Sequence, residues 1–354
     1  MTSLHATRGA NYWSRRPVTR LDIAVGAYED ISSADVSGFN ATLISAMPGL
    51  EEHRCSIGER GGFITRLERG TYAAHIIEHV ALELQNTIGH EVGFGRTRGG
   101  DVEDEYTIVF EHLHEAVGLR AAALALEIVQ RAFAGTLGPI DYATAELDAL
   151  SRTADVPPLQ QHVLCGITGG ALRAETRDEI VRRGFGGGAG GASGGTGDLI
   201  VDISPGYLLQ AGLPYSRSDI AIVLDAALTD VPERYREDER AQRLLATVAD
   251  AVDRGGIVIV PAKEWEIQDL VREAGCRVAI FAPDADITRR DKRVSRAAAY
   301  CESNRILIET RKGVSDAGPL HEDAAPAAQA AAALAAFTLR ELHPELAVAV
   351  SSAE

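Results

Sequence analysis

Short β-branched segments and helical segments alternate through the second half of this 354-residue sequence, and this alternation restricts the fold more than any other feature. Strands are predicted at residues 163–168, 199–203, 219–224, 256–260, 278–281 and 306–309, with helices at 171–183, 234–253, 264–274 and 290–302. Strands that alternate with helices form βαβ units, whose strands lie parallel in one sheet. We therefore predict an α/β domain with a mainly parallel sheet for residues 155–354.

The first half has another pattern. Strands are predicted at 18–25, 40–45 and 105–111, and long helices at 71–87 and 115–133. This order predicts an α+β domain over residues 1–154, in which two helices cover one sheet. The Asp-Val-Pro-Pro segment at 155–158 is expected to link the two domains, and the glycine-rich stretch 184–197 to form a mobile loop.

Charge and composition exclude several functional classes. Thirty-five Lys and Arg against 51 Asp and Glu give a net charge of −16, which argues against nucleic acid or an anionic membrane surface as a partner. The sequence shows neither a secretory signal at its start nor an 18-residue apolar stretch, so no membrane span is predicted. The four cysteines are far apart and form no C-x-x-C pair, so a reduced, cytoplasmic protein is expected.

The segment His75-Ile76-Ile77-Glu78-His79, inside the predicted helix 71–87, has the residue types and spacing of a metal-binding motif. Histidines four residues apart lie on one helix face about 6 Å from each other, so both can reach one metal ion. Glu78 is placed to take a proton from metal-bound water, as in the H-x-x-E-H order of inverted zinc peptidases. The same spacing also arises where two histidines simply share a half-buried helix face.

A catalytic zinc site needs a third protein ligand besides His75 and His79. Glu127 is a candidate because it lies in an otherwise apolar part of helix 115–133, where an unpaired carboxylate is costly. It is favoured because a ligand from a second helix closes a tetrahedral site more easily. Glu83, one turn beyond His79, is the alternative. The predicted cofactor is Zn²⁺, although manganese or iron would suit the same ligands.

Four blocks of sequence extend this motif, at residues 9–14, 52–63, 70–85 and 92–98. In their order and spacing they resemble the N-terminal domain of cyanophycin synthetase, over about residues 1–150. The resemblance implies an enzyme in which this domain accompanies an ATP-grasp domain and a Mur-ligase-like domain. Together these build a poly-aspartate chain with arginine attached to each side-chain carboxylate. In some members the N-terminal domain itself resembles a metallopeptidase that cleaves the polymer.

The second half resembles a truncated and degenerate Mur-ligase-like domain, with no ATP-grasp domain between the halves. The place of the phosphate loop reads Gly166-Ile-Thr-Gly-Gly-Ala-Leu-Arg173, without the lysine that such loops use to bind phosphates. ATP-dependent ligase activity is therefore not expected, nor is ATP as a cofactor.

These observations predict a zinc-dependent hydrolase that cleaves a peptide or amide bond in an Asp/Arg polymer or a related amino-acid conjugate, with Glu78 as general base. A guanidinium matches a carboxylate with two parallel hydrogen bonds, so substrate carboxylates are assigned to four arginines: Arg54, Arg60, Arg96 and Arg98. The alternative is a non-catalytic pseudo-ligase that assembles with a cyanophycin-synthetase-like ligase. The expected partners are a peptide-like substrate, further copies of the chain in a homo-oligomer, and such a ligase.

Overall fold

The computed structural model describes residues 1–100, 102–153, 162–185 and 199–344. The chain forms two compact units, Met1–Arg8 with Arg16–Pro158 and Gly9–Arg15 with Leu159–Glu354. The segment Gly9–Arg15 therefore packs with the second unit, which the sequence did not predict. The predicted linker at 155–158 lies outside the described residues, as do residues 186–197 of the glycine-rich stretch.

The first unit is built on a four-stranded antiparallel sheet. Its strands are β1 (Ser3–Ala6), β2 (Val18–Ala24), β3 (Gly95–Gly99) and β4 (Glu105–Glu111), in the spatial order β1-β2-β4-β3. Its helices are α1 (Phe39–Ala46), α2 (Gly62–Arg69), α3 (Ala73–Thr87), α4 (Glu115–Phe133) and α5 (Asp141–Thr153). The predicted α+β class is confirmed.

Helix α3 lies at the centre of the core of the first unit. Ile76, Val80 and Leu84 recur at the spacing of one helix face and are fully buried. They belong to the same cluster as Ile108 and Phe110 of β4. The position of α3 is thus determined by apolar burial, and its polar residues are carried into the interior with it.

One predicted strand of the first unit is wrong. Residues 40–45 lie in helix α1, not in a strand. Phe39 and Leu43, four positions apart, are both buried, which is the spacing of a helix face. The β-branched residues in this short segment resembled a strand, but packing against the core selects the helix.

The second unit holds an eight-stranded sheet. Its strands are β5 (His162–Thr168), β6 (Ile200–Asp202), β7 (Arg217–Val223), β8 (Val252–Pro261), β9 (Arg277–Phe281), β10 (Ala297–Glu302), β11 (Arg305–Thr310) and β12 (Gly313–Pro319). Their spatial order is β12-β11-β10-β9-β8-β7-β5-β6, parallel from β6 to β10 and antiparallel at β10, β11 and β12. The predicted α/β class with a mainly parallel sheet is confirmed.

Six helices connect or cover these strands in the described part of the second unit. They are α6 (Arg173–Arg182), α7 (Pro205–Ala211), α8 (Asp238–Ala246), α9 (Trp265–Glu273), α10 (Arg289–Val294) and α11 (Pro326–Leu342). The predicted helix at 290–302 is half wrong, because α10 ends at Val294 and Ala297–Glu302 is strand β10. The Ala-rich α11 packs its small side chains into the sheet core. No helix within the described ranges is long and apolar enough to cross a membrane.

Candidate functional site

A cavity of about 780 Å³ opens beside α3 in the first unit. His75, Glu78 and His79 line it from α3, and Thr97 lines it from β3. Part of its wall comes from the chain just before α2, including His53 and Cys55. The structure therefore brings the H-x-x-E-H motif to a cavity, as a site requires.

His79 is held by a line of hydrogen bonds. Its Nδ1 lies 2.9 Å from Nδ1 of His53, whose Nε2 lies 3.0 Å from Oε2 of Glu83. The ring of Phe63 stacks on His79 with a centroid distance of 3.9 Å. Burial, with smaller contributions from the charges of His75 and His53, lowers the pKa of His79 to about 2. This histidine is consequently neutral and fixed in orientation.

His75 bonds on both sides of its ring. Nδ1 lies 2.8 Å from Oγ1 of Thr71, and Nε2 lies 3.4 Å from Sγ of Cys55. Burial lowers the pKa of His75 to about 4, with a smaller contribution from the positive charge of Arg66. Cys55 has a φ of +52°, a left-handed conformation that is uncommon for a residue with a side chain.

Glu78 is almost completely buried, with 6% of its surface exposed. Burial raises the pKa of Glu78 to about 7, and the hydrogen bond that Thr97 Oγ1 donates to its Oε2 (2.6 Å) partly opposes this shift. Gly95 makes room for the carboxylate, since a Cβ there would lie 2.5 Å from Glu78 Oε1. The carboxyl group is thus held by β3 and can carry or release a proton near neutral pH.

Glu127 is not brought to the histidines as their third ligand. Its carboxylate accepts a hydrogen bond from the Tyr142 hydroxyl (3.1 Å) and pairs with Arg131 at 2.9 Å, and it does not line the cavity. The carboxylate in an apolar segment is stabilised by these partners on α4 and α5, which removes the reason for assigning it to a metal.

Glu83, the alternative ligand, reaches His79 only through His53. Among the described residues, the group whose possible ligand atoms all lie within 4.8 Å of one another is Cys55, His75 and His79. Neither His53 nor Cys55 was predicted to lie at this site. They lie in the block 52–63, but no spacing rule connects that block to α3.

The four arginines assigned to substrate carboxylates occupy different places. Arg54 and Arg96 line the cavity, whereas Arg60 and Arg98 are not among its lining residues. Arg60 is exposed and pairs with Glu52. Arg66 of α2 also lines the cavity and was not predicted. Three arginines therefore line the same cavity as Glu78, and their guanidinium groups can bind carboxylates there.

The first unit is similar in sequence to known proteins. Residues 20–134 match the cyanophycin synthase-like N-terminal domain. Cyanophycin synthetase from a Synechocystis strain is 43% identical over 148 residues, which is 40% of this chain and 16% of the relative. The enzyme from Crocosphaera subtropica is 40% identical over 161 residues, 44% of this chain and 18% of the relative. The chain thus spans less than a fifth of the length of either relative.

A weaker similarity extends to solved structures. MurF ligase from Thermotoga maritima in complex with ADP matches 58% of this chain and 51% of its own, at 10% identity and a TM-score of 0.36. Folylpolyglutamate synthetase from Lactobacillus casei matches 86% of this chain at 12% identity and a TM-score of 0.25.

These comparisons overturn the predicted activity. Relatives that are at least 40% identical to the first unit are named cyanophycin synthetases, and a synthetase forms bonds and does not hydrolyse them. The prediction of a zinc-dependent peptidase or amidohydrolase with no ligase activity is therefore wrong, as is the prediction of Zn²⁺ without ATP as cofactor. What is supported is a first unit similar to the N-terminal domain of cyanophycin synthetases.

Proposed function

We propose that this chain takes part in ATP-dependent amide-bond formation on a cyanophycin-type polymer, and that the first unit holds the polymer during the reaction. One observation carries this proposal. The region similar to cyanophycin synthetases, residues 20–134, contains every residue that lines the cavity beside α3.

The chemistry of the cavity suits such a polymer. An arginine joined through its amino group to an aspartate side chain keeps both a free carboxylate and a guanidinium. Arg54, Arg66 and Arg96 offer guanidinium groups to carboxylates, and Glu78 offers a carboxylate to a guanidinium group. At about 780 Å³, the cavity has the volume of a site that holds a ligand with several side chains.

The second unit offers a place for nucleotide phosphates. Strand β5 connects to β6 on one side, and its neighbour β7 connects to β8 on the other side. The two connections therefore leave the carboxyl edge in opposite directions, and open α/β sheets bind ligands at such a point. The turn Gly169-Gly170 follows β5 there, and α6 begins at Arg173. The Gly170 N–H now donates to Asp225 Oδ1 (2.8 Å), and Arg173 donates to the carbonyls of Gly169 and Gly170. A phosphate at this turn would take the place of the Asp225 carboxylate.

One experiment tests the proposal on the whole chain. A fluorescent oligomer of four aspartates, each with arginine on its side-chain carboxylate, is titrated by anisotropy, and ADP release is followed with ATP, Mg²⁺, aspartate and arginine present. We expect binding and oligomer-dependent ADP release. Arg96→Gln should weaken binding at least tenfold through loss of a charge-assisted hydrogen bond.

Arg98→Gln is the matched control, because it removes the same charge from the same strand outside the cavity, and its binding should stay within twofold. Absence of binding, or equal losses in the two variants, would rule out the cavity as the polymer site. Binding without ADP release would rule out the ligase role.

A further inference from the structure

A second charged groove lies on the sheet of the second unit, away from the turn that follows β5. It consists of two adjoining cavities of about 250 and 380 Å³ that share Ile257, Arg296, Thr338 and Glu341. We call it the amino-edge groove, because Arg277 and Arg296 stand at the amino ends of the parallel strands β9 and β10. The carboxyl ends of the parallel strands, where Gly169-Gly170 lies, are at the opposite edge.

The amino-edge groove is strongly cationic in a chain with a net charge of −16. Its lining contains four cations, Arg277, Arg296, Arg311 and Lys312, against one acid, Glu341. Glu341 lies 3.9 Å from Arg296, and both side chains are exposed, so the pair is weak. The side chains of Arg311 and Lys312 form no ion pair or hydrogen bond with any residue that the structure describes. The groove therefore attracts anions that the rest of the surface repels.

Two structural features hold this charge beside an apolar floor. Arg311 and Lys312 form the two-residue turn between β11 and β12, where Thr310 pairs with Gly313. The Thr310 hydroxyl accepts a hydrogen bond from the Lys312 N–H (3.1 Å), which keeps the turn in shape. The floor is apolar, with buried Ile257, Ala279 and Ala297 beside the half-buried ring of Phe337.

We infer that the amino-edge groove binds a small organic anion, with its carboxylate at Arg296, Arg311 and Lys312 and its carbon skeleton on the apolar floor. Guanidinium groups recognise carboxylates through paired hydrogen bonds. The apolar floor distinguishes an organic anion from an inorganic one, because only a carbon skeleton gains by covering that surface. This inference does not depend on the proposed ligase function.

Calorimetric titration of the whole chain with succinate tests the inference, with inorganic phosphate as the second probe. We expect succinate to bind in one-to-one ratio and more tightly than phosphate. The double variant Arg311→Gln/Lys312→Gln should weaken succinate binding at least tenfold. The double variant Arg289→Gln/Arg290→Gln is the matched control, since it removes two adjacent exposed cations from α10 outside the groove, and its affinity should stay within twofold.

All four substituted side chains are exposed, so both double variants are expected to fold. Thermal unfolding of each variant without ligand verifies this. No succinate binding by the wild-type chain would overturn the inference, as would equal weakening in the two double variants. Phosphate binding as tight as succinate binding would show that the groove recognises charge alone, which also overturns it.

Discussion

His112 shows how burial of one residue makes stability depend on pH. It is buried at the end of β4, with its Nδ1 3.0 Å from Oγ1 of Thr19. Burial lowers the pKa of His112 from 6.5 to about 4, with a smaller contribution from the charge of His114. Between these two values the unfolded chain binds a proton that the folded chain does not, so stability falls as the pH decreases from 6.5 to 4.

We predict that His112→Asn removes this dependence. Asparagine can keep the bond to Thr19 but does not titrate. The unfolding free energy of the wild type minus that of the variant should therefore be about 2 kcal/mol lower at pH 5 than at pH 7.5, because pH 5 lies 1.5 units below the unfolded pKa. Urea denaturation at the two pH values measures it. His5→Asn, at an exposed histidine, is the control; a His112→Asn difference that stays constant with pH would contradict the prediction.

At the scale of elements, the approach of α4 to β2 depends on one glycine. A Cβ on Gly118 would lie 2.3 Å from Thr19 Oγ1 and 2.7 Å from His112 Cβ. The side chain at this position must be a hydrogen atom for the helix to lie where it does. The pairing of Thr19 with His112 further restricts any adjustment of those two residues.

Gly118→Ala is expected to destabilise the chain by about 1–3 kcal/mol through overpacking, although alanine is intrinsically about 1 kcal/mol better than glycine in a helix. Urea denaturation followed by circular dichroism measures this change. Gly138→Ala is the control, because nothing lies within 4 Å of a Cβ there, and it should change stability by less than about 0.5 kcal/mol. An unchanged or increased stability of Gly118→Ala would show that the helix can shift at no cost.

At the scale of the whole molecule, the two units have separate cores. The cluster around α3 and the cluster around α11 share no residue. Both tryptophans belong to the second unit, Trp13 through the segment Gly9–Arg15 and Trp265 through α9. Tryptophan fluorescence therefore reports unfolding of the second unit, whereas far-UV circular dichroism reports both.

We predict that Leu43→Ala, which opens a cavity in the first core at a cost of about 2–5 kcal/mol, lowers the midpoint of part of the circular dichroism transition and leaves the fluorescence midpoint unchanged. Leu334→Ala in the second core is the counterpart, and it should lower the fluorescence midpoint. If Leu43→Ala shifts both signals together, the two units unfold as one.

The sequence by itself determined the classes of both units. Periodicity is a local property, so the helices at 71–87 and 115–133 and most parallel strands were predicted near their observed bounds. The motif at His75, Glu78 and His79 was also visible, because i and i+4 positions share a helix face whatever surrounds them. Prediction failed at 40–45 and at 297–302, where short apolar segments fit a strand and a helix equally well until packing in the core selects one.

Only the tertiary structure decided which residues lie beside the motif of His75, Glu78 and His79. His53 and Cys55 are more than fifteen residues from α3 in the chain, and no sequence periodicity links them to it. Glu127 was assigned to the site because a carboxylate in an apolar segment needs a partner, but its partners, Tyr142 and Arg131, lie away from the cavity. Partners of a polar side chain are set by which elements pack together, and long-range packing is what a single sequence leaves open.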